Sequence, residues 1–252
     1  MAQDAQAQTI LTEHRRVWQE KAVLRRIYNE EFFARLIAAR KPGGISLEIG
    51  GGPGYLRELL PDILSTDIVR VPWLDAVADA QNLPFRSGSA SNILGLDVLH
   101  HLAEPMKFLE EAQRILVPGG RLLLVEPWIT PFSYLVYRYL HQEGCDLAAR
   151  PWEKTPGAGA QEKKAFDGNP AIPYLLFGTR HLRQTLAALP AFQLLRRERF
   201  CLFAYLLSLG FQRWNLLPES LYPLVARCER ATLPLWRSLA ALRILLVLEK
   251  SA

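Results

Sequence analysis

The sequence predicts an α/β fold, a three-layer sandwich in which helices cover both faces of a mostly parallel sheet. Short apolar runs alternate with amphipathic stretches between residues 45 and 127, and a glycine-rich turn follows the first of these runs. Strands that alternate with helices form parallel sheets, because each crossover helix packs back onto the sheet. With 252 residues, half of them hydrophobic, the chain can bury the core that such a sheet needs.

The elements follow in order from the N-terminal side. Residues 9–40 have the apolar spacing of one or two amphipathic helices, which the Pro-Gly-Gly turn at 42–44 ends. The turn at 117–120 is typical of a helix stop followed by a strand start. The predicted strands of the first half are 45–49, 63–68, 91–99 and 121–127, and the predicted helices are 55–60 and 105–116.

Beyond Pro127 the regular alternation breaks. A Pro/Gly-rich loop is predicted at 150–173, and two later apolar runs, 198–207 and 241–250, are predicted to be strands. The connections before these strands are longer than a hairpin needs, so each carries an insertion. The chain therefore divides into an N-terminal helical cap (1–44), a first half of the core (45–127) and a second half of the same domain (128–252).

Charge is unevenly distributed over the two halves. Residues 1–127 hold 14 Lys/Arg against 16 Asp/Glu, whereas residues 128–252 hold 16 against 9, within a net charge of +5. A basic surface attracts phosphates, acidic substrates, nucleic acid or anionic lipid. A solvated arginine-rich surface without a partner explains the same counts.

The positions of the cysteines and the length of the apolar runs argue against several classes of protein. Cys145, Cys201 and Cys228 are scattered without a CxxC pair, so we expect neither a metal site nor disulfides, and a reducing cytoplasm suits the chain. The N-terminal stretch lacks the pattern of a secretory signal. The longest candidate span, residues 201–212, has 12 residues, fewer than the roughly 18 that cross a bilayer.

The glycine-rich turn at residues 50–54 predicts a loop that cradles a nucleotide-like ligand. No Gly-Lys-Ser or Gly-Lys-Thr occurs, which excludes a P-loop. The interpretation as a dinucleotide-binding loop is weakened, because Tyr55 occupies the position of the third glycine in the GxGxxG pattern. The pattern present is Glu48-x-Gly50-x-Gly52-x-Gly54, and its acidic residue suits a ligand with a positive or amine-bearing part.

Four motifs carry a family resemblance: Glu48-Ile-Gly-Gly-Gly-Pro-Gly54, Asp79-Ala-Gln-Asn-Leu-Pro-Phe85, Asp97-Val-Leu-His-His-Leu102 and Val117-Pro-Gly-Gly-Arg-Leu-Leu-Leu-Val-Glu126. In this order and spacing they resemble the class I, Rossmann-like methyltransferases that use S-adenosylmethionine (SAM), in particular the small-molecule "type 11" group. The likeness covers roughly residues 20–127 and, weakly, the last strand. It implies a seven-stranded, mostly parallel sheet whose last strand is antiparallel, and SAM as cofactor.

The resemblance also implies the cofactor site. Asp67 would accept hydrogen bonds from the ribose hydroxyls, Asp79 with Ala80 would hold the adenine, and Asp97 would line the methionine end. Each aspartate has a plainer alternative: a solvated loop residue, a turn former and a helix cap, respectively. The full set of expected cofactor residues is Glu48, Gly50, Gly51, Gly52, Gly54, Asp67, Ile68, Asp79, Ala80 and Asp97.

Two histidines are candidate catalytic residues, because a general base helps when a hydroxyl accepts a methyl group. His101 belongs to the pair that follows the fourth strand, and one member of this pair is expected to be structural. His141 precedes Glu143 and Asp146, so a carboxylate could hold it as a base. A surface histidine beside solvated acids is the plainer alternative.

The expected activity is methyl transfer from SAM to a small-molecule, lipid- or sugar-like acceptor. Aromatic residues between the arginines of the second half favour a partly apolar, anionic or lipid-linked acceptor, and residues 210–230 suit peripheral contact with the inner face of a membrane. Nucleic-acid amino methylation is disfavoured, since Asp97-Val-Leu-His100 replaces the Asn/Asp-Pro-Pro-aromatic signature. A non-catalytic SAM-fold scaffold, an RNA or protein methyltransferase and, more distantly, an NAD-binding oxidoreductase are the alternatives.

Overall fold

A computed structural model describes residues 2–141, 143–153, 167–201 and 203–251, with the backbone alone for residues 2–4. Its strands are β1 (Ser46–Ile49), β2 (Leu64–Asp67), β3 (Ala76–Val77), β4 (Ala90–Leu96), β5 (Leu116–Pro127), β6 (Phe192–Phe200) and β7 (Arg243–Lys250). They form one sheet in the order β3-β2-β1-β4-β5-β7-β6. The pairs from β3 to β5 are parallel, and β7 runs antiparallel to both of its neighbours. The predicted sheet is therefore confirmed.

Helices surround this sheet. Those of the first half are α1 (Ala2–Glu20), α2 (Ala22–Ile27), a π-helical turn (Tyr28–Phe33), α3 (Ala34–Ala39), α4 (Leu56–Leu59), a 3₁₀ turn (Leu99–His101) and α5 (Pro105–Ile115). Those of the second half are α6 (Pro131–Tyr139), α7 (Ile172–Phe177), α8 (Leu182–Ala188), α9 (Phe203–Ser208), a 3₁₀ turn (Glu219–Leu221) and α10 (Tyr222–Ala240).

Alternation along the central strands produces the three layers. Successive side chains of a strand point to opposite faces, so Leu122 and Leu124 of β5 pack with α5 and α7, on Phe108 and Leu176. Leu123, one residue along, packs on the other face against the N-terminal helices and the start of α10. No helix in the described ranges is long and apolar enough to span a membrane.

The predicted strand at 198–207 is wrong in its second part. The strand runs over Phe192–Phe200, the backbone turns at Cys201 with φ +61°, and Phe203–Ser208 is helical. The backbone N–H of Ala204 donates to the carboxylate of Glu229 on α10, which satisfies one free amide of this short helix. An apolar run of ten residues does not distinguish strand from helix, and tertiary packing decided it.

Three smaller features also differ from expectation. The turn predicted at 117–120 lies within β5, where the pairing jumps from Ala90–Leu116 to Asn92–Arg121 and leaves these residues as a bulge. The third strand, β3, has two residues and so leaves no periodic signal. Of the loop predicted at 150–173, residues 154–166 lie outside the described part, and α7 begins at Ile172.

Candidate functional site

The predicted cofactor residues meet at one edge of the sheet, because β2, β1 and β4 are adjacent and parallel and their carboxyl ends coincide. The glycine loop follows β1, with φ of +66° at Gly50, +45° at Gly52 and +80° at Gly54. Side chains are strained at such angles. A Cβ at Gly50 would also lie 2.5 Å from Cγ2 of Val98. The loop geometry therefore requires these glycines.

Glu48 lies beneath the loop, shielded from solvent. Its carboxyl accepts a hydrogen bond from the hydroxyl of Ser65, and a Cβ on Gly51 would lie 3.0 Å from its Oε2. Burial, reinforced by the negative charge of Asp67, raises the pKa of Glu48 to about 8. In this position Glu48 supports the loop from below, and its predicted contact with the cofactor stays a prediction.

Asp67 ends β2 and is fixed beside the loop. Its Oδ2 accepts a hydrogen bond from the N–H of Gly52 at 2.9 Å, and its Oδ1 accepts one from the N–H of Val69 at 2.8 Å. Burial raises the pKa of Asp67, and these backbone hydrogen bonds oppose that rise. Each oxygen keeps a further acceptor position, as ribose binding would require. Ile68, the next residue, is exposed.

Asp79 and Ala80 follow β3 closely in the chain, and β3 pairs with β2, the strand that ends at Asp67. The N–H of Ala78 donates to the carbonyl of Asp67 at 2.9 Å. Asp79 has the turn-forming geometry of the plainer alternative, since its Oδ1 accepts from the N–H of Gln81 at 2.9 Å. Ala80 is buried. The structure thus places both near the second strand end, and their adenine contacts stay predictions.

Sequence reasoning missed two side chains that cover the glycine loop. Arg15 of α1 donates to the carbonyl of Pro53 at 2.8 Å, and Trp73 donates its indole N–H to the carbonyl of Gly52 at 2.8 Å. The guanidinium of Arg15 also stacks over the Trp73 ring at 4.5 Å. No local pattern marks either residue, because their partners lie far along the chain.

Asp97 follows β4 with φ +58° and pairs with the guanidinium of Arg243, the first residue of β7. Arg243 is buried, 5.4 Å from the Phe32 ring and 4.8 Å from the Tyr205 ring, and its Nε has no hydrogen-bond partner among the described residues. Burial lowers the pKa of Arg243, but Asp97 outweighs it and raises the pKa. A charge within the apolar run 241–248 was the signal that could have identified Arg243.

His100 is held by a buried carboxylate that the sequence showed only as part of a motif. Oε1 of Glu126 accepts from the N–H groups of Val98 and Leu99 at 2.9 and 2.7 Å, and Oε2 lies 2.7 Å from Nδ1 of His100. Burial lowers the pKa of His100, but the carboxylates of Glu126 and Glu143 raise it to about 9. His100 is thus the structurally anchored member of the pair.

The two candidate catalytic histidines lie on either side of Glu143. Its carboxylate is 3.8 Å from Nε2 of His101, and its backbone N–H donates to Nδ1 of His141 at 3.3 Å. The expected carboxylate support of His141 is thus replaced by a backbone contact. Asp146 bonds a backbone amide of its own turn. With Nδ1 accepting, neutral His141 carries its proton on Nε2 and donates there. Catalysis by His101 and His141 stays a prediction.

Comparison with known proteins finds a family match within the first half of the core. Residues 47–124 match the model of the methyltransferase domain family. A SAM-dependent methyltransferase of Archaeoglobus fulgidus superposes with a TM-score of 0.52 at 17% identity, over 88% of this chain and 94% of that one. One of Thermotoga maritima gives 0.52 at 14% identity, over 93% and 94%. At these identities the structures establish a shared fold.

Curated relatives match over less of their length. An uncharacterized 37.1 kDa transposon protein of Streptomyces fradiae is 29% identical over 69% of this chain and 57% of its own length. The human protein called probable tRNA methyltransferase 9B is 28% identical over 36% of this chain and 23% of its own. This chain therefore spans about half the length of the first relative and about a quarter of the second.

Proposed function

We propose that the chain binds SAM at the glycine loop and transfers its methyl group to a small-molecule acceptor, since residues 47–124 match the model of the methyltransferase domain family. The observation that carries this proposal is the loop itself. Three glycines hold left-handed backbone angles, and the carboxylate of Asp67 is fixed to the amide of Gly52. The backbone can then approach a ligand closely, and the carboxylate of Asp67, which we propose binds the ribose, is already oriented beside it.

The cofactor brings the reactive group, a methyl on a positive sulfonium. The chain's own residues orient the cofactor and the acceptor toward each other and exclude water from the reacting groups. Asp67 binds the ribose, Asp79 and Ala80 border the adenine, and Asp97 lies at the methionine end with its carboxylate held by Arg243. Arg15 and Trp73 close the loop from above. The family relationship and the adjacent strand ends support this arrangement.

The acceptor side is formed by the second half of the chain. Arg243 brings a buried positive charge whose Nε has no hydrogen-bond partner among the described residues, and His141, whose Nδ1 accepts the N–H of Glu143, can donate from Nε2. Such donors suit an acceptor with an anionic or hydroxyl-bearing part, as sugar-like and lipid-linked intermediates have. His101, whose Nε2 is 3.8 Å from the carboxylate of Glu143, is the proposed proton acceptor.

Ligand-induced stabilisation tests cofactor binding. Purified protein is melted with SAM, S-adenosylhomocysteine, NAD and NADP in separate samples, beside Asp67→Ala and the matched control Asp62→Ala, an exposed loop aspartate. A ligand at a hundred times its Kd stabilises the fold by about 2.7 kcal/mol, a shift of a few degrees. We expect the two adenosyl ligands to stabilise the wild type and the control, and Asp67→Ala to lose the effect. Stabilisation by NAD alone, or by no ligand, would refute the proposal.

A lipid surface is the second element of this proposal. α6 packs against α10, whose second half is exposed, and both helices expose large apolar side chains; Arg237 of α10 is exposed as well. Apolar residues with flanking arginines suit an anionic bilayer. We assign to this face the exposed apolar residues of the two helices: Phe132, Leu135, Tyr139, Leu235, Trp236 and Leu239.

Vesicle flotation tests this face. At low salt we expect binding to phosphatidylglycerol vesicles and little binding to phosphatidylcholine vesicles, and loss of binding in Trp236→Glu. Val77→Glu is the matched control, because Val77 is exposed on β3 at the opposite edge of the sheet from β6. If Trp236→Glu and Val77→Glu bind vesicles equally well, or if the wild type does not bind anionic vesicles, the proposed lipid-binding surface is wrong. The acceptor is then a diffusible molecule.

The human relative named for tRNA methylation motivates one alternative acceptor. The basic second half would attract RNA through its phosphates. Transfer of labelled methyl from SAM to bulk tRNA, beside transfer to a lipid extract, separates the two. We expect label in the lipid fraction, and label in tRNA alone would replace the lipid-like acceptor by RNA.

A further inference from the structure

Three donor side chains converge beside the end of β4, on the side where the long insertion after β5 returns to the sheet. We call them the histidine–glutamate cluster: His100, His101 and Glu143. One donor atom from each lies within 4.8 Å of the other two. Oε2 of Glu143 is 3.5 Å from Nε2 of His100, and Oε1 is 3.8 Å from Nε2 of His101.

These separations are longer than hydrogen bonds but close to those of ligands that share an ion. A hydrogen bond between nitrogen and oxygen is about 2.7–3.2 Å long. Zinc binds histidine nitrogen and carboxylate oxygen at about 2.0–2.1 Å, which puts two tetrahedral ligands roughly 3.3 Å apart. The cluster is therefore near the spacing that one ion would require.

The surroundings of His100 match the support that metal-binding histidines have. Nδ1 of His100 lies 2.7 Å from Glu126, and the same carboxylate is anchored by two backbone amides. A carboxylate on one ring nitrogen fixes the tautomer and presents the other nitrogen to a metal. Here the nitrogen so presented is Nε2, which points at Glu143.

Glu143 gives an independent observation. Its Oε2 is buried and has no hydrogen-bond partner in the part of the chain that the structure describes. A Cβ added to Gly168 would lie 2.3 Å from this oxygen and 2.9 Å from Nδ1 of His101, so a glycine backbone closes over the cluster. The group facing this oxygen is Nε2 of His100 at 3.5 Å, beyond hydrogen-bond length, and an ion held between the two atoms in place of the proton on Nε2 would satisfy the carboxylate oxygen.

We propose that the histidine–glutamate cluster binds one divalent first-row transition ion of the zinc type. Nε2 of His100, Nε2 of His101 and the carboxylate of Glu143 are the ligands, and a fourth position stays open. His101 then holds the ion, and this role replaces that of the proton acceptor proposed for it above. A second grouping, Asp97 with His100 and Glu126, is committed to other contacts, because Asp97 pairs with Arg243 and Glu126 accepts from two backbone amides and lies against Nδ1 of His100. The site uses no cysteine, so cysteine spacing gave no sign of it.

Cobalt titration of tag-free, chelator-treated protein tests the site. Co²⁺ bound to nitrogen and oxygen ligands gives visible absorption bands, so occupancy is read directly and without SAM. We expect saturation at one ion per chain, displacement by Zn²⁺, and no displacement by equimolar Mg²⁺, which prefers oxygen ligands. Glu143→Gln should weaken binding on the order of 100-fold or more, since loss of even an outer-shell partner weakens it about 10–100-fold.

Glu153→Gln is the matched control, because Glu153 is an exposed glutamate of the same insertion and should leave the titration unchanged. Where Glu143→Gln does not fold, His101→Asn replaces it. Absence of cobalt bands in the wild type, or equal affinity in wild type and variant, overturns the proposal. The cluster is then an internal ion pair of protonated His100 with two glutamates. Since SAM is absent from this experiment, such a result leaves the proposed methyl transfer untouched.

Discussion

Glu48→Gln should remove a pH dependence that is built into the base of the glycine loop. Burial and the neighbouring Asp67 raise the pKa of Glu48 from 4.5 to about 8. Between these values the folded chain holds a proton that the unfolded chain releases, so the free energy of unfolding falls as the pH rises. The stability that the proton contributes is complete below about pH 4.5 and is lost by about pH 8. Glutamine is a neutral mimic of the protonated acid and does not titrate.

The magnitude follows from the same values. Each pKa unit of difference between folded and unfolded chain corresponds to about 1.4 kcal/mol, so the wild type should lose up to about 5 kcal/mol across this window. Urea unfolding of both proteins at pH 5, 6, 7, 8 and 9 measures the difference. The two curves should nearly coincide at pH 5, and Glu48→Gln should be the more stable protein by several kcal/mol at pH 9.

Glu110→Gln is the control for loss of one carboxylate, because Glu110 is exposed on α5. If wild type and Glu48→Gln show parallel stability from pH 5 to 9, Glu48 is ionised in the fold and the burial argument fails. The outcome also bears on the cofactor. A neutral Glu48 can offer a ligand a hydrogen bond, whereas an ionised one offers a charge.

Two further substitutions test the strained backbone and the buried ion pair. Gly50→Ala should destabilise the fold by roughly 1–3 kcal/mol more than Gly43→Ala, because both glycines have positive φ but only a Cβ at Gly50 would meet Val98. Gly50→Ala should also abolish stabilisation by SAM. Equal losses of stability in urea unfolding would contradict this. Asp97→Asn should lose about 3–5 kcal/mol, since it leaves Arg243 buried without a counter-charge, and adding Arg243→Met should restore part of the loss. A double variant as unstable as the sum of the single ones would refute that coupling.

The sequence predicted those parts of the molecule whose signals are local. Alternating strands and helices, and glycines at every second position of one turn, each lie within a short window. The sheet predicted from them is confirmed, and the glycines have left-handed backbone angles, while the cofactor contacts of the loop stay predictions. The apolar run 198–207 was ambiguous because strand and helix share its composition, and the turn at Cys201 depends on packing against α10.

The site residues beyond the loop depend on distant partners. Arg243 and Asp97 are 146 positions apart, and Glu126 and His100 are 26 apart. Which buried charges meet is set by the order of strands in the sheet, and periodicity carries no information on that order. A charged residue inside an apolar strand shows that a partner exists, without identifying it.

The position of β7 between β5 and β6 has a consequence for how the chain folds. β6 is at the edge of the sheet, so β7 is its one neighbour there, and β7 is synthesised after it. Until β7 emerges, β6 has no strand to pair with, and β5 exposes an unpaired edge. Pairings of this long range form slowly, and open strand edges invite association with other chains. The chain is therefore most prone to associate with other chains in the interval before β7 joins the sheet.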